Sequence, residues 1–322
     1  MKNRIGVVGA VCAMLCLILA PSEAIESARY ALGLCAELIV PSLLPFFTAS
    51  ALLVRLGVPQ VLGRVLAPLA RRLWGVSGAG ASAFFAGICG GYPLGAQTVA
   101  ELYGNGQISR EEAERLLRFC NNSGPSFLVG VIGAGLFASR AAGLLLYAVH
   151  VTAALLVGVI FRKDATSPAE PAPAPECGIG EAFLASVRQA VSSVLSVCGF
   201  VICFCVLSGL LESFGVWDAA AGVLTALFRI DVPDARALLI GLIELSSGIG
   251  ALRGLPPTGA RFVLAAFLCG WGGLSVHLQS LAVLGETELD GRGQLAGRLL
   301  SALLSALLAA ALCRFAPILC AI

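Results

Sequence analysis

The feature of this sequence that most limits its fold is a short polar stretch that interrupts apolar sequence twice. The first copy is Cys120-Asn121-Asn122-Ser123-Gly124-Pro125-Ser126, and the second is Cys269-Gly270-Trp271-Gly272-Gly273-Leu274-Ser275. Cys120 and Cys269 lie 149 positions apart, as do Gly124 and Gly273, and an apolar run follows each stretch. We call these stretches the first break and the second break. Backbone that stops being helical inside a bilayer is costly unless it is buried in protein or lines a wet cavity.

The composition places both breaks in a membrane. Of the 322 residues, 58% are hydrophobic and only 12% are charged, and the mean hydropathy is +0.92. Soluble domains carry about 25% charged residues. Residues 141–161 and 190–211 contain no Asp, Glu, Lys or Arg and are long enough to cross a bilayer core. The sequence therefore predicts an all-α polytopic membrane protein.

Several other classes of protein lack support in the sequence. No basic stripe with interleaved aromatic residues points to nucleic acid. The 12 cysteines are scattered through apolar runs without a Cys-x-x-Cys pair, which favours buried thiols over a metal site or a disulfide framework. No catalytic triad spacing, metalloprotease motif or phosphate-binding loop is present, so we expect no enzyme, no cofactor and no metal.

Proline and charge mark the borders between segments of the chain. Residues 162–180 contain four prolines among mixed charges, which is typical of an extended linker. The apolar residues 5–20 are expected to be a retained first helix rather than a cleaved signal peptide. The predicted segments are an N-terminal transmembrane helix and connector at 1–36, a first repeat at 37–161, the linker at 162–180, a second repeat at 181–286 and a C-terminal transmembrane helix at 287–322.

Each repeat has a second interruption upstream of its break. Gly90-Gly91-Tyr92-Pro93 divides an uncharged run in the first repeat, which predicts two half-helices. Glu244-Leu245-Ser246-Ser247-Gly248 interrupts the apolar run 237–252 in the second. Ser109 begins a capping box and hence a short helix that ends at the first break. Arginines among apolar residues at 59–74 favour a helix that lies in the membrane interface.

The helices that begin at the breaks predict an anion site. One helix begins near Pro125 and one near Leu274, and each points unpaired N–H groups and the positive end of a helix dipole into its break. Such discontinuous helices in two matching halves are the best sequence indication of a transporter's substrate site. The alternative is that the Asn and Ser side chains of the breaks only cap the helix ends. Two facing termini suit a solute with two negative ends, or a neutral solute rich in acceptors.

Glu244 is an acidic residue within apolar sequence. An acid at membrane depth is by default a functional residue, often one that couples transport to a proton or a sodium ion. The alternative is a structural ion pair with Arg253 or Arg261.

Other polar residues near the breaks are candidate ligand contacts or packing residues. His277 and Gln279 follow the second break, and Tyr92 and Gln97 flank the glycine pair of the first repeat. His150, inside the span 141–161, is expected to be a satisfied hydrogen-bonding group rather than a proton relay.

Several of these segments resemble one family. Gly90-Gly91-Tyr92-Pro93-Leu94-Gly95-Ala96, Asn105-Gly106-Gln107-Ile108-Ser109 and the first break are similar to the nucleoside-recognition (Gate) domain group, and more closely to the YlbJ-type sporulation integral membrane proteins. Gly272-Gly273-Leu274-Ser275-Val276-His277-Leu278-Gln279 resembles that family's second repeat. The resemblance extends over 37–286 and implies two Gate-type pseudo-repeats with broken or re-entrant helices. It also implies a role in moving dipicolinic acid across the outer forespore membrane.

Residues and resemblance together predict a transporter for a small organic anion, dipicolinate during sporulation, bound between the two breaks. The alternatives are a nucleoside-type solute carrier and a non-transporting membrane scaffold needed for spore maturation. The expected partners are the lipid bilayer, the anionic solute, a coupling proton or sodium ion, and a second copy of the chain in a homo-oligomer. The predicted substrate-binding residues are Gly91, Tyr92, Pro93, Gln97, Asn121, Asn122, Ser123, Gly124, Ser246, Ser247, Gly273, Ser275, His277 and Gln279, with Glu244 as the ion-coupling residue.

Overall fold

A computed structural model describes residues 2–163, 178–285 and 287–315, and every regular element in those ranges is helical. Most of the predicted linker, at 164–177, lies outside the described residues. The helices are α1 (Lys2–Leu19), α2 (Pro21–Leu34), α3 (Val40–Arg55), α4 (Val58–Trp74), α5 (Gly78–Gly90), α6 (Leu94–Gly104), α7 (Arg110–Leu116), α8 (Arg140–Ile160), α9 (Ile179–Ser213), α10 (Val216–Phe228), α11 (Val232–Ile243), α12 (Leu245–Ala251), α13 (Gly259–Trp271), α14 (Gly273–Leu284) and α15 (Arg292–Phe315), with π-helical segments at Cys35–Ile39 and Ser126–Leu136.

The chain is a multi-pass membrane protein. Five helical runs within the described ranges are long and apolar enough to cross a bilayer: Pro21–Arg55, Arg140–Ile160, Ile179–Ser213, Gly259–Leu284 and Arg292–Phe315. The first run joins α2, the first π-helical segment and α3, so the predicted border between residues 36 and 37 falls inside a continuous helix. Pro41 and Pro45 lie in that run, and each lacks the backbone donor that a regular α-helix would use.

A sharp corner separates α4 from α5. The part of α4 at 64–74 and the helix Gly78–Gly90 are bent by 91° relative to each other. Gly75 begins the corner with a φ of +64°, and a Cβ atom there would lie 1.8 Å from the carbonyl oxygen of Lys163. Arg64 and Val65 of α4 are both exposed. This geometry fits the prediction of an interfacial helix that precedes a helix inserted into the membrane.

The two interruptions upstream of the breaks are the tips of two helical hairpins. We call α5 and α6 the first hairpin and α11 and α12 the second hairpin. The tip of the first hairpin is Gly91-Tyr92-Pro93, between Gly90 and Leu94, and the tip of the second is Glu244. A broken helix follows each hairpin. It consists of α7 and the second π-helical segment in the first half, and of α13 and α14 in the second.

Two scaffold helices hold these elements in place. The 35-residue α9 packs against α2 and α3. The closing helix α15 packs against α13 and α8. Contact between α13 and α15 is close because Gly270 has no side chain: a Cβ atom there would lie 2.5 Å from the Cα atom of Ala302. The hairpins and breaks therefore meet between α9 on one side and α15 on the other.

Candidate functional site

A central cavity lies where the hairpin tips meet the first break. Its empty volume is about 580 Å³. Seven of the predicted site residues line it: Gly91, Tyr92, Ser123, Gly124, Glu244, Ser246 and Gln279. Most of the remaining wall is apolar and comes from α9 and from the two π-helical segments, including Val197, Val201, Ile39 and Phe127. Ser42 also lines it, and its hydroxyl donates to the carbonyl of Leu38 in the same helix at 2.6 Å.

Two larger cavities flank the central one, and α9 lines all three in sequence order. The first outer cavity, with an empty volume of about 1200 Å³, includes Ser192, Ser193 and Ser196. The central cavity includes Val197 and Val201. The second outer cavity, with about 1150 Å³, includes Cys205, Ser208 and Ser213. A helix rises 1.5 Å per residue, so residues 192–213 extend over about 30 Å, the thickness of a bilayer core.

Each hairpin tip separates the central cavity from one outer cavity. Tyr92 lines the central cavity, whereas its neighbour Pro93 lines the first outer cavity together with Gln97. Ser246 lines the central cavity, whereas its neighbour Ser247 lines the second outer cavity. At each hairpin tip, two neighbouring residues therefore line two different cavities.

Close backbone contacts hold the tips against the breaks. Gly91 has a φ of +85°, and a Cβ atom at this position would lie 2.9 Å from the backbone nitrogen of Gly124. Gly273 has a φ of +81°, and a Cβ atom there would lie 2.9 Å from the backbone nitrogen of Leu245. Glycine is required at both positions because other residues disfavour these dihedral angles and would collide with the facing backbone. Gly273 therefore packs against the backbone of the second hairpin and does not line the central cavity.

Hydrogen bonds join the first break to the second half of the chain. The Asn121 amide nitrogen donates to the hydroxyl of Ser280 on α14 at 2.6 Å. The phenol of Tyr92 donates to the carbonyl of Cys269 at 2.8 Å. Arg298 on α15 contacts both breaks, since its guanidinium donates to the carbonyl oxygens of Asn121 and Trp271. The two breaks thus belong to one buried assembly.

Glu244 caps the N-terminus of α12. Its two carboxylate oxygens accept from the backbone N–H groups of Ser246 at 3.0 Å and Ser247 at 2.6 Å. Only 2% of Glu244 is exposed, and it lines the central cavity. The alternative of an ion pair with Arg261 is wrong, because Arg261 pairs with Asp234 at 2.8 Å. No ion pair of Glu244 with Arg253 occurs among the described residues either.

Other predicted residues are buried in the packing around the site. Asn122 donates to the carbonyl of Phe119 at 2.8 Å, a local contact of the capping type. His277 packs edge-on against Trp271, with the ring centroids 4.5 Å apart. Ser275 is fully buried. Asn121, Asn122, Ser275 and His277 line none of the three cavities.

His150 provides an acceptor for the first break. Its Nε2 atom accepts a hydrogen bond of 3.1 Å from the backbone N–H of Ser123. The histidine therefore satisfies a donor that the non-helical backbone leaves free, and it holds the residue whose side chain lines the central cavity. The prediction of a hydrogen-bonding role for His150 is therefore met at Nε2, whereas its buried Nδ1 atom has no partner among the described residues.

Of the helices that begin at the site, α12 alone has a side-chain cap among the described residues, the carboxylate of Glu244. No side chain caps α6, α14 or the π-helical segment Ser126–Leu136. Nearby backbone carbonyls accept from several of their first N–H groups instead: Phe127 and Leu128 donate to Gly124, and Leu94 donates to Gly91.

The charges around the cavities are mostly acidic. Among the described residues that line the central cavity, Glu244 is the only charged one. Glu23, Glu26 and Glu212 line the second outer cavity, and Glu101 lines the first. Within the described ranges, no three His, Cys, Asp or Glu side chains are grouped so that they could hold a metal ion.

Sequence reasoning missed Arg298 as a site residue. Its side chain is 98% buried and lies at the junction of the two breaks and the first hairpin tip. The available signal was its charge: it is the only charged residue between Arg292 and Arg314, and an intramembrane charge indicates function by default.

Comparisons with known proteins agree with this architecture. A family model described as "Gate: Nucleoside recognition" matches residues 37–163. The sporulation integral membrane protein YlbJ of Bacillus subtilis (strain 168) is 31% identical over 296 residues, which cover 84% of this chain and 72% of that protein.

Solved structures share the fold of the chain. A variant of CNTnw in an intermediate state has a TM-score of 0.58 and 16% identity over 98% of this chain and 85% of the other. CNTnw in an inward-facing substrate-bound state has a TM-score of 0.52 and 17% identity over 98% of this chain and 84% of the other. The fold is therefore that of a concentrative nucleoside transporter.

Proposed function

The chain belongs to the family of the YlbJ-type sporulation integral membrane proteins, and on that premise we propose that it transports a small organic anion, dipicolinate, across the membrane. The fold is transporter-like. The solute binds in the central cavity, between the two hairpin tips and against the first break. The carrier acts during sporulation, in the outer forespore membrane.

The order of the three cavities along α9 carries this proposal. A transporter must bind its solute at a site that opens to one side of the membrane at a time. Here a central cavity lies between two larger cavities, and a hairpin tip separates it from each. Displacing the first hairpin tip would join the central cavity to the first outer cavity, and displacing the second hairpin tip would join it to the second outer cavity.

A helix dipole at the cavity supports an anionic solute. The helical segment beginning at Ser126 follows directly on Ser123 and Gly124, which line the cavity. The positive end of its dipole favours a carboxylate. The amide of Gln279, which lines both the central and the first outer cavity, adds a hydrogen-bond donor.

Glu244 gives a reason for ion coupling. A dianion entering a cavity that contains a buried carboxylate meets a like charge at low dielectric, which is strongly unfavourable. A proton or a sodium ion that enters with the solute removes part of that repulsion. We therefore assign the coupling role to Glu244.

Flux into liposomes that contain only the purified protein tests the proposal. Labelled dipicolinate should enter faster than into protein-free liposomes, with saturation and with dependence on an imposed proton or sodium gradient. The flux of phthalate, another aromatic dicarboxylate, is measured in the same liposomes as the control for selectivity. Absence of dipicolinate flux in both orientations of the protein, under either gradient, would refute the assignment of this solute.

A nucleoside-type solute is the second candidate. It is favoured by the Gate match at residues 37–163 and by the fold shared with CNTnw. Uridine and adenosine in tenfold excess should leave dipicolinate flux unchanged if the anion is the solute. Flux of labelled nucleoside that dipicolinate does not compete with would instead favour this candidate. A lack of flux for all of these solutes would favour the scaffold role.

A further inference from the structure

Arg298 is a buried cation without a carboxylate partner. It lies in the N-terminal third of α15 with 2% of its surface exposed, and no described carboxylate is within ion-pair distance of it. A buried charge is strongly unfavourable unless it is paired or fully hydrogen-bonded. The guanidinium must therefore be stabilised by neutral acceptors, and their identity indicates its role.

The acceptors come from three separate parts of the chain. The Nε atom donates to the carbonyl of Trp271 at 3.3 Å. The two terminal nitrogens donate to the carbonyl of Asn121 and to the phenol oxygen of Tyr92. The guanidinium carbon also lies 4.5 Å from the centroid of the Tyr92 ring, in a cation–π contact. One side chain thus joins the first break, the second break and the first hairpin tip.

The carbonyl groups that Arg298 and Tyr92 contact lie where helices are broken, so they have no hydrogen-bond donor within a helix. The last four carbonyl groups of a helix have no intrahelical donor. Trp271 and Cys269 lie in the last turn of α13, and Asn121 lies in the non-helical stretch after α7. Arg298 satisfies Trp271 and Asn121, and Tyr92 satisfies Cys269. The side chains of Arg298 and Tyr92 therefore supply donors to three carbonyl groups of the two breaks.

We propose that Arg298 is a positioning residue that fixes the first hairpin tip and both breaks as one rigid unit, behind the solute cavity. Tyr92 lines the cavity and Arg298 does not. Arg298 acts on the solute through the placement of Tyr92 and of the backbone at the breaks. The expected effect on transport rests on the proposed function, whereas the effect on rigidity does not.

Gly272 is part of the same arrangement. A Cβ atom at this position would lie 2.6 Å from a terminal nitrogen of Arg298 and 3.3 Å from the phenol oxygen of Tyr92. Its φ of +86° also favours glycine. We call the contact of Arg298 with Tyr92 and with the carbonyl groups of the two breaks the clamp. Gly272→Ala therefore disturbs the clamp without altering the side chain of Arg298 or of Tyr92.

Hydrogen exchange of the full chain in lipid nanodiscs tests the rigid unit. Arg298→Lys keeps the charge but replaces a planar fork of donors by a single ammonium, which cannot reach all three acceptors. Backbone exchange should rise by about tenfold or more in peptides that cover 90–94, 119–127 and 269–275, because these segments lose their shared anchor. Arg314→Lys, an exposed change on the same helix, is the control and should leave exchange unchanged.

The same variants are then assayed for dipicolinate flux. We expect Arg298→Lys to lower the initial rate by about tenfold or more, the factor expected when buried hydrogen bonds are lost, and Arg314→Lys to leave it unchanged. If wild-type protein carries no dipicolinate while exchange rises in all three segments of Arg298→Lys, the proposed function fails and the clamp stands.

Two results would overturn the clamp. One is wild-type exchange in Arg298→Lys, which would mean that the three segments do not depend on the guanidinium. The other is normal flux in Arg298→Lys with loss of flux in Arg298→Gln, which would mean that charge alone matters. If Arg298→Lys does not reach the membrane, Gly272→Ala and Tyr92→Phe decide: raised exchange at both 119–127 and 269–275 supports the clamp, and unchanged exchange at either contradicts it.

Discussion

The phenol of Tyr92 donates a 2.8 Å hydrogen bond to the backbone carbonyl of Cys269, a residue 177 positions later in the chain. Tyr92 is at the tip of the first hairpin, and Cys269 is in the last turn of α13, just before the second break. The hairpin of one half is thereby attached to the broken helix of the other. The solute cavity is consequently built across the two halves, and neither half alone completes it.

Tyr92→Phe should weaken this attachment. The change leaves the Cys269 carbonyl buried without its donor, which costs about 1–3 kcal/mol. We expect a lower unfolding temperature in detergent and slower dipicolinate flux. Tyr147→Phe is the matched control, because Tyr147 also donates to a backbone carbonyl, that of Ile88, at 2.9 Å. The control should lose similar stability but keep its flux, and equal flux in both variants would contradict a special role for Tyr92.

Gly91→Ala should prevent the first hairpin tip from seating on the first break. The added Cβ atom would lie 2.9 Å from the nitrogen of Gly124, and the φ of +85° with a ψ of −171° adds backbone strain of about 1–3 kcal/mol. Gly106→Ala is the control, because Gly106 has a φ of +68° and no atom within 4 Å of such a Cβ. Flux should be lost in Gly91→Ala and retained in Gly106→Ala. If both lose flux equally, strain rather than the contact between tip and break is responsible.

Asn121 and Ser280 should show coupled effects. Their 2.6 Å side-chain hydrogen bond joins the first break to α14, and both residues are fully buried. Asn121→Ala and Ser280→Ala should each lower the free energy of unfolding, and the double variant should lose about 1 kcal/mol less than the sum of the two. Thermal unfolding of the four proteins measures this coupling energy. If the losses in the free energy of unfolding are additive, the hydrogen bond between Asn121 and Ser280 contributes nothing to stability.

Asn121→Ala also tests the predicted role of Asn121 in transport. Flux should fall in both single variants because they remove the same bond. The protein should still reach the membrane, since no charge is buried or exposed by the change. Wild-type flux in Asn121→Ala would contradict the prediction that Asn121 belongs to the substrate site.

The interruptions of the helices could be read from the sequence because their signals are local. Gly90 to Pro93 combines a residue that favours open backbone with one that lacks a donor, and Ser109 and Pro125 carry helix-start signals of their own. The polar residues of Glu244 to Gly248 likewise indicated the interruption of the apolar run in the second repeat. In each case the residues that end a helix are adjacent in the chain, so no knowledge of the tertiary structure was needed.

Contacts between distant residues left no such signal. The bond between Asn121 and Ser280 joins positions 159 apart, and the bonds of Arg298 to Tyr92 and Asn121 join positions 206 and 177 apart. The π-helical form of Ser126–Leu136 was also missed, because apolar periodicity indicates a helix without separating π from α. Ser275 and His277 were expected at the solute, yet both are buried in packing that sequence spacing cannot reveal.

Filling the central cavity should block transport. Val201 lines it and is 2% exposed, whereas Leu195 on the same helix is 65% exposed on the outer surface. Val201→Trp should place an indole ring in the cavity and abolish flux, while Leu195→Trp should leave flux unchanged. Membrane-inserted yield and melting temperature show whether overpacking has harmed the fold, which typically costs about 1–3 kcal/mol. A folded Val201→Trp protein with normal flux would place the solute path elsewhere.

Glu244→Gln should change the ion dependence of transport. Each carboxylate oxygen of Glu244 accepts from one N–H group, and glutamine replaces one of these oxygens by an NH2 donor, so the weakened cap costs about 1 kcal/mol. The change also removes the only charge among the described residues that line the central cavity. Wild-type flux should respond to an imposed proton or sodium gradient, and flux through the variant should no longer do so.

Glu26→Gln is the matched control for this change. Glu26 lies exposed in the second outer cavity, outside the central one, so its neutralisation should leave the ion dependence intact. We would measure initial rates of flux for the wild type and both variants across a range of pH and sodium concentrations. These rates distinguish a role of Glu244 in ion coupling from its role as a helix cap. If Glu244→Gln loses stability but keeps the ion profile of the wild type, the carboxylate is a helix cap alone, and the coupling ion must be bound by other residues.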